Sequence, residues 1–422
     1  MSLQARGMSL LLVHLGSWGN DPARAERERI GALEVRDMAS YGTVSLARLL
    51  DEEQPAAVIL LSTETFAHRA LIRYCRQRSI PTLLLYHGLV NVQVTDDKRG
   101  SYGSNRVAYA RFVVQKLGKV LKRTLPCYLS ALLHTRASLR DWRRFAADSA
   151  RLALGTSLRT KAADDSRTTA CAVYTQADVE HAIRVFGFDA SEVKVVGNPD
   201  LARFGLTREL LCSSLPNGAG AGCEIMYIDT GLPAVGLVFE SWDAFFQHLR
   251  RTGAALAAAG FSMLLKPHPA HDLERLERGI AGCGITVVPD SMFVPRLRQC
   301  AACIAETTTL AMIPALLGMP LFLATYGALS VLRYGRVLTS YPRGDLLQQL
   351  SDLRGLLCRE KWADERVRSA VSEWIDMNVG PLPAEAMPDR VAALIASLIS
   401  PAAASTNLAD GAQLRRHSRA IR

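Results

Sequence analysis

Nowhere in its 422 residues does the chain hold an uncharged apolar stretch of the ~18–20 positions that a membrane-spanning helix needs. The apolar run Ser9–Leu15 is short and is soon broken by Gly16, Gly19, Asn20 and Asp21, so it lacks the form of a secretory leader. The nine cysteines are scattered, several of them in apolar runs (Cys127, Cys171, Cys303), and outline no disulfide framework. That distribution suits a reducing, cytoplasmic compartment. Cys300-Ala-Ala-Cys303 has the spacing of half a zinc site, but no second pair exists, and alternation on a buried strand explains it. There is no Asp-x-Asp to carry a catalytic metal, no repeat of the solenoid kind, and no nucleic-acid-binding motif.

A hydrophobic fraction of 49% is that of a globular protein, and the length suits two domains of about 150–200 residues. The net charge of +10 is unevenly spread. Residues 105–161 carry thirteen Lys/Arg and two Asp, so this one block, at +11, accounts for the entire excess. A local basic block implies an anionic partner. Within it, 100° spacing over Val107–Leu125 puts Val107, Ala110, Val113, Val114, Leu117, Val120, Leu121 and Leu125 on one side of a helix. Arg111, Lys116, Lys119, Lys122 and Arg123 fall on the other, which is the pattern of a helix lying on an anionic membrane or acidic glycan. A solvated helix face packed on the core is the plainer reading. A further basic stretch runs from Arg136 to Arg159.

Elsewhere short apolar runs alternate with helical patterns, the signature of parallel sheets covered by helices. The first half has runs at Leu10–His14, Ala56–Ser62, Pro81–Tyr86, Thr169–Thr175 and Val193–Val196. The turn-rich segment 212–223 reads as a linker. The second half has runs at Glu224–Ile228, Ser262–Leu265, Ile285–Val288, Cys300–Ala305 and Pro320–Ala324, with a long helix over Ser241–Gly260. The expected organisation is an acceptor-side domain at 1–211 with the basic insertion at about 105–161, the linker, a donor domain at 224–400, and a loose basic tail at 401–422.

Three of the second-half runs end in Asp229-Thr230-Gly231, Lys266-Pro267-His268-Pro269 and Glu306-Thr307-Thr308-Thr309. Parallel strands would bring these ends to one sheet edge, where such folds bind ligands. A pyrophosphate needs N–H groups at a glycine turn, hydroxyls and an N–H-donating ring there. Gly231 allows close backbone approach, Thr230, Thr307, Thr308 and Thr309 offer hydroxyls, and His268 offers a ring N–H beside Lys266 and Pro269. Each motif also has a plain structural explanation: a strand-stopping turn, a helix cap, a βα turn. In the first half, His14 and His87 fall at strand ends.

The run LLKPHP at 264–269 followed by CIAETTTLAMIPALLGMPLF at 303–322 resembles the C-terminal domain of bacterial GT-B transferases. The likeness is to the polysialyltransferase, Kdo-transferase and CDP-glycerol glycerophosphotransferase groups that build surface polysaccharides. YHG at 86–88 and YTQADVEHAIRVFGFDASEVKVVGNP at 174–199 extend the resemblance over roughly residues 58–330. It implies two Rossmann-like domains facing a cleft and inverting, metal-independent transfer from a CMP- or CDP-linked donor to a surface glycan or glycolipid. No cofactor is implied, and the place of work is the inner face of the cytoplasmic membrane. By position, His268 would contact the donor phosphate, Thr307 and Thr308 would hold phosphate or a sugar carboxylate, and His87 would be the general base, a role that suits an imidazole near pKa ~6.5. The acidic base of the sialyl- and Kdo-transferases has no clear counterpart, with Asp96, Asp97 and Glu64 as fallback choices. Glu306 before a Thr run also matches a ribose-binding pattern, which keeps a UDP donor or a nucleotide-sugar 2-epimerase open. A non-catalytic capsule-assembly protein is the third expectation.

Overall fold

The computed structural model describes residues 7–15, 27–41, 45–86, 114, 118, 120–153, 164–213, 223–235, 238–357 and 364–399. The first half opens with β1 (Leu11–His14), β2 (Arg27–Ile30) and β3 (Leu33–Asp37), a small sheet in which β1 runs parallel and β2 antiparallel to β3. A four-stranded parallel sheet follows in the order β4 (Val58–Leu60), β5 (Thr82–Leu85), β6 (Ala170–Val173) and β7 (Val193–Val195). The helices Phe66–Gln77, Leu125–His134 and Leu139–Ala153 pack beside it around Phe66, Tyr128 and Phe145.

The second half is a six-stranded parallel sheet made of β8 (Glu224–Ile228), β9 (Ser262–Lys266), β10 (Ile285–Val287), β11 (Ala302–Ala305), β12 (Leu321–Ala324) and β13 (Gly344–Leu347). Their order is β10-β9-β8-β11-β12-β13. The central strands β8, β11 and β12 are buried almost throughout, which is why they read as unbroken apolar runs. The helix Trp242–Ala258 begins at Ser241, whose hydroxyl accepts the Ala244 N–H at 3.1 Å, and buries Phe245, Leu249, Thr252 and Leu256 at helical spacing.

Two expected boundaries move. Leu201, Leu206 and Leu211 lie in the core of the second sheet, so the chain leaves the first half at Gly197-Asn198, ahead of residue 211. The last helix, Met387–Ile399, returns and buries Met387, Val391 and Ile395 against the first sheet, so it packs with the first half. Three such side chains are worth roughly 1.5–3 kcal/mol each in burial, more than a short polar linker offers as a competing contact. The two crossings run side by side: Gly197, at φ +104°, and Gly380, at φ +77°, are close enough that a β-carbon on Gly380 would lie 3.4 Å from the Gly197 Cα. Arg390 pins them, donating to the carbonyls of Val196 at 2.7 Å and of Pro381 at 3.0 Å.

Of the basic helix expected over Val107–Leu125, Arg111, Lys116 and Lys119 lie outside the described residues. Lys122 and Arg123 are exposed. Val114 and Leu121, expected on the apolar side of that helix, are exposed as well. No helix among the described residues is long and apolar enough to cross a membrane.

Candidate functional site

In the central strands Ile228 pairs with both Lys266 and Ala305. The next residues, Asp229, Pro267 and Glu306, therefore stand at one level on β8, β9 and β11, and the three expected loops do share one edge of the sheet.

Asp229 is the hub between two of them. It is buried, and its Oδ1 accepts the Gly231 N–H at 2.9 Å while Oδ2 accepts the His268 N–H at 3.1 Å. Oδ2 also takes His271 Nε2, so a fully buried imidazole faces a fully buried carboxylate. Trp242 closes over His271 with ring centroids 5.0 Å apart. The His268 ring is half-buried, and its Nδ1 accepts the Ala270 N–H at 3.2 Å. In the neutral ring the proton is then on Nε2, leaving that N–H as a donor. Burial lowers the His268 imidazole below its ordinary value, against the opposing pull of Asp229. Gly231, at φ +77°, lies directly under this ring.

Glu306 is entirely buried. Its Oε1 accepts from the Tyr227 hydroxyl at 2.7 Å, and its Oε2 accepts both the N–H (3.0 Å) and the hydroxyl (2.8 Å) of Thr230. Tyr227 continues to His248 Nε2 at 3.0 Å. Burial and then the Asp229 carboxylate push Glu306 up to about 8, while the bonds from Tyr227 and Thr230 hold it down. Glu306 therefore does not line the edge as the ribose-binding pattern expects. It stands behind Thr230.

Lys266 is turned the same way. Its ammonium is buried, paired with Asp290 at 2.8 Å and donating to the Pro267 carbonyl at 2.9 Å. Asp290 also holds Arg203. Lys266 is thus a neutralised structural cation. Pro269 is exposed, and Thr307, Thr308 and Thr309 are half-buried. Thr308 caps the short turn Thr309–Ala311, its hydroxyl accepting the Leu310 N–H at 3.2 Å, so the Thr308 hydroxyl is committed to the turn.

On the first sheet, His87, Asp96 and Asp97 lie outside the described residues, and Glu64 is exposed. Tyr86, at the end of β5, meets His181 Nδ1 at 3.0 Å. Burial lowers His181 to about 4. His14 pairs with Asp37 at 2.9 Å, a contact within the small sheet.

Asp229, His271, Tyr227 and His248 escaped the sequence reading as individual residues. The spacing His268-x-x-His271 is a local signal for one of them. Tyr227, His248 and Glu306 are joined only by the fold and carry none.

No known family profile matches the chain, and no curated protein matches it. Solved structures do. The calicheamicin glycosyltransferase CalG4 aligns over 94% of this chain and 92% of its own, at 13% identity and a TM-score of 0.51. The wall teichoic acid polymerase TagF aligns over 56% of this chain and 59% of its own, at 15% identity and a TM-score of 0.36. MnaA of S. aureus, solved with UDP, aligns over 92% and 96%, at 10% identity and a TM-score of 0.42. With the two parallel sheets, the near full-length likeness to CalG4 shows a GT-B fold of two Rossmann-like halves.

Proposed function

We propose that the protein is a glycosyltransferase that moves a sugar, or a glycerophosphate group, from a CMP- or CDP-linked donor to a bacterial surface polysaccharide or glycolipid. One observation supports this reading: the His268 ring, the Gly231 turn and Thr307 follow three adjacent strand ends at one edge of the sheet, next to the buried carboxylates Asp229 and Glu306. As the donor bond breaks, negative charge grows on the leaving phosphate. Fixed N–H and O–H donors stabilise that charge without reorganising, and in such sites this electrostatic contribution is usually the largest. His268 supplies the donor closest to the developing charge, and His87 takes the proton of the acceptor hydroxyl in an inverting displacement. Because Glu306 is spent on Tyr227 and Thr230, the residue-level reason for preferring a UDP donor falls away.

The acceptor side works at an anionic surface. In the hairpin of Leu125–His134 and Leu139–Ala153, both acids have partners: Asp148 is buried on Arg69 at 2.6 Å, and Asp141 accepts from the Ser138 N–H and hydroxyl at 3.0 and 2.9 Å with Arg73 at 3.5 Å. Arg136, Arg140 and Arg143 are exposed, as are Leu133 (66%) and Leu139 (67%) at the hairpin's turn. A largely cationic outer face with two leucines at its tip suits anionic lipid better than a soluble acidic polymer.

The test is a thermal-shift screen of CMP, CDP and UDP, followed by transfer assays with the donor of the best-stabilising nucleotide. CMP or CDP should stabilise most. His268→Ala should lose transfer by ~100-fold or more while keeping its melting temperature. Full turnover in that variant, or stabilisation by no nucleotide, would sink the reading.

A further inference from the structure

We propose that Glu306 is a positioning residue that governs access to Thr230: its carboxylate holds the Thr230 hydroxyl, and a donor phosphate obtains that hydroxyl only as Glu306 takes up one proton. The proposal rests on the donor-site reading above and deepens it.

The geometry poses a conflict. Thr230 sits at the glycine turn where a phosphate would lie, yet its N–H and its hydroxyl both point at Oε2 of Glu306, at 3.0 and 2.8 Å. A hydroxyl has one proton to give. While Oε2 is an ionised acceptor, that proton is spent. Thr230 is half-buried and Glu306 fully buried, so Thr230 stands between the carboxylate and any anion at the sheet edge.

Protonation of Oε2 resolves the conflict with the rotation of one hydroxyl. One proton from solvent forms one O–H bond at Oε2. Oε2 then donates to Thr230 Oγ1, and the Thr230 hydroxyl turns to donate to the phosphate oxygen. Oε1 keeps its bond from Tyr227, so the chain from His248 through Tyr227 is undisturbed.

The surrounding groups push in the same direction. Tyr227 from β8 and Asp229 just past its end face Glu306; His248, from the helix Trp242–Ala258, reaches it through Tyr227; Tyr326 and Tyr334 face it from beyond β12. None of these is a cation. His248 is held neutral, lowered to about 4 by burial. A phosphate arriving beside Asp229 and Glu306 adds a further negative charge where screening is weak. With Glu306 already raised to about 8, the system relieves the repulsion most cheaply by neutralising it.

The experiment is calorimetric titration of the full-length protein with CDP, in buffers of unequal ionisation enthalpy, at about pH 7 and about pH 9. Uptake should approach one proton per nucleotide at the higher pH and fall toward zero at the lower, where Glu306 already holds its proton. Above its pKa the affinity should drop up to ~tenfold per pH unit. In Glu306→Gln the uptake should vanish and the affinity should vary less than ~twofold between the two pH values. Thr230→Val keeps the backbone N–H and removes the hydroxyl, so the share of the uptake that the hydroxyl imposes should go and the total should diminish even if the Gln variant folds poorly. Tight CDP binding by the natural protein with no uptake at about pH 9 would overturn the proposal, as would undiminished uptake in Thr230→Val. Failure of CMP, CDP and UDP alike to bind at either pH would instead bring down the donor-site reading, and this proposal with it.

Discussion

The β-carbon position of Gly231 is taken by the imidazole of His268: a β-carbon there would lie 2.9 Å from both Cγ and Nδ1 of that ring. The same glycine holds φ +77°, which side-chain-bearing residues rarely adopt. Gly231→Ala must therefore push the ring or twist the turn. We expect transfer to fall ~10–100-fold, since a displacement of about 1 Å at a catalytic group costs that much. The melting temperature should fall only about 2–4 °C, because the strain is local and about 1 kcal/mol. Parallel measurement of kcat/KM and of thermal unfolding checks both, and an alanine variant with unchanged turnover would remove His268 from the donor contact.

Much of this edge is legible in the sequence because of how parallel sheets are built. β8 runs over Glu224–Ile228, the bounds read from the apolar run alone, since a strand covered on both faces has no polar alternation to blur it. The same physics marks the strand ends by abrupt polarity: Asp229, Lys266-Pro267-His268 and Glu306. What stays hidden is of two kinds. β2 is exposed at all four positions and reads Arg-Glu-Arg-Ile, so no burial pattern betrays it. And Tyr227, His248 and Glu306 meet across 21 and 79 residues, a distance at which no spacing rule operates. The destinations of Leu201 and of Ile395 are illegible for the same reason: an amphipathic helix shows that it has a core face, not which core receives it.

The basic insertion is held by a buried ion pair whose removal should be costly. Arg69 and Asp148 meet at 2.6 Å with side chains 1% and 6% exposed. Arg69→Met leaves the Asp148 carboxylate buried without its guanidinium, and Asp148→Leu strands the cation. Each should cost about 3–5 kcal/mol. The double variant should recover part of that, since it leaves neither charge uncompensated. Urea unfolding of the three proteins reads the difference, and additive losses in the double variant would show that the pair is not coupled.

Stability should fall on the acid side through buried histidines. Burial lowers His181 and His248 to about 4. Unfolded, each titrates near ~6.5. Folded values below unfolded ones mean that their contribution is complete above about pH 6.5 and is lost as pH falls toward about 4. Glu306 acts in the opposite sense. Raised to about 8, it favours the fold while protonated, and that advantage is lost as pH climbs from the unfolded carboxyl range toward about 8. A melting-temperature profile from about pH 4 to about pH 9 should therefore be domed. His248→Gln should flatten the acid limb and Glu306→Gln the alkaline one; unchanged limbs would show that these groups titrate as they do in water.

The outer face of the hairpin offers the sharpest test of where the protein works. Asp148 is paired with Arg69 and Asp141 with Ser138 and Arg73, so reversing Arg140 and Arg143 to Glu changes the outer charge without freeing a buried partner. A basic residue near an anionic bilayer is worth about 1 kcal/mol, so removing two and replacing them with acids should weaken vesicle binding by at least ~30-fold. The loss should appear with phosphatidylglycerol vesicles at low salt and shrink as salt screens the attraction. Leu133→Ser with Leu139→Ser should weaken binding at every salt concentration, because the leucines contribute through burial in the bilayer boundary and burial is not screened. Transfer to a short soluble acceptor should be unaffected in both variants, since neither pair touches the strand ends of the second sheet. Unchanged partitioning of the charge-reversed protein would sink the lipid assignment. Retained lipid binding together with lost retention on an acidic polysaccharide column would assign the same face to the acceptor glycan.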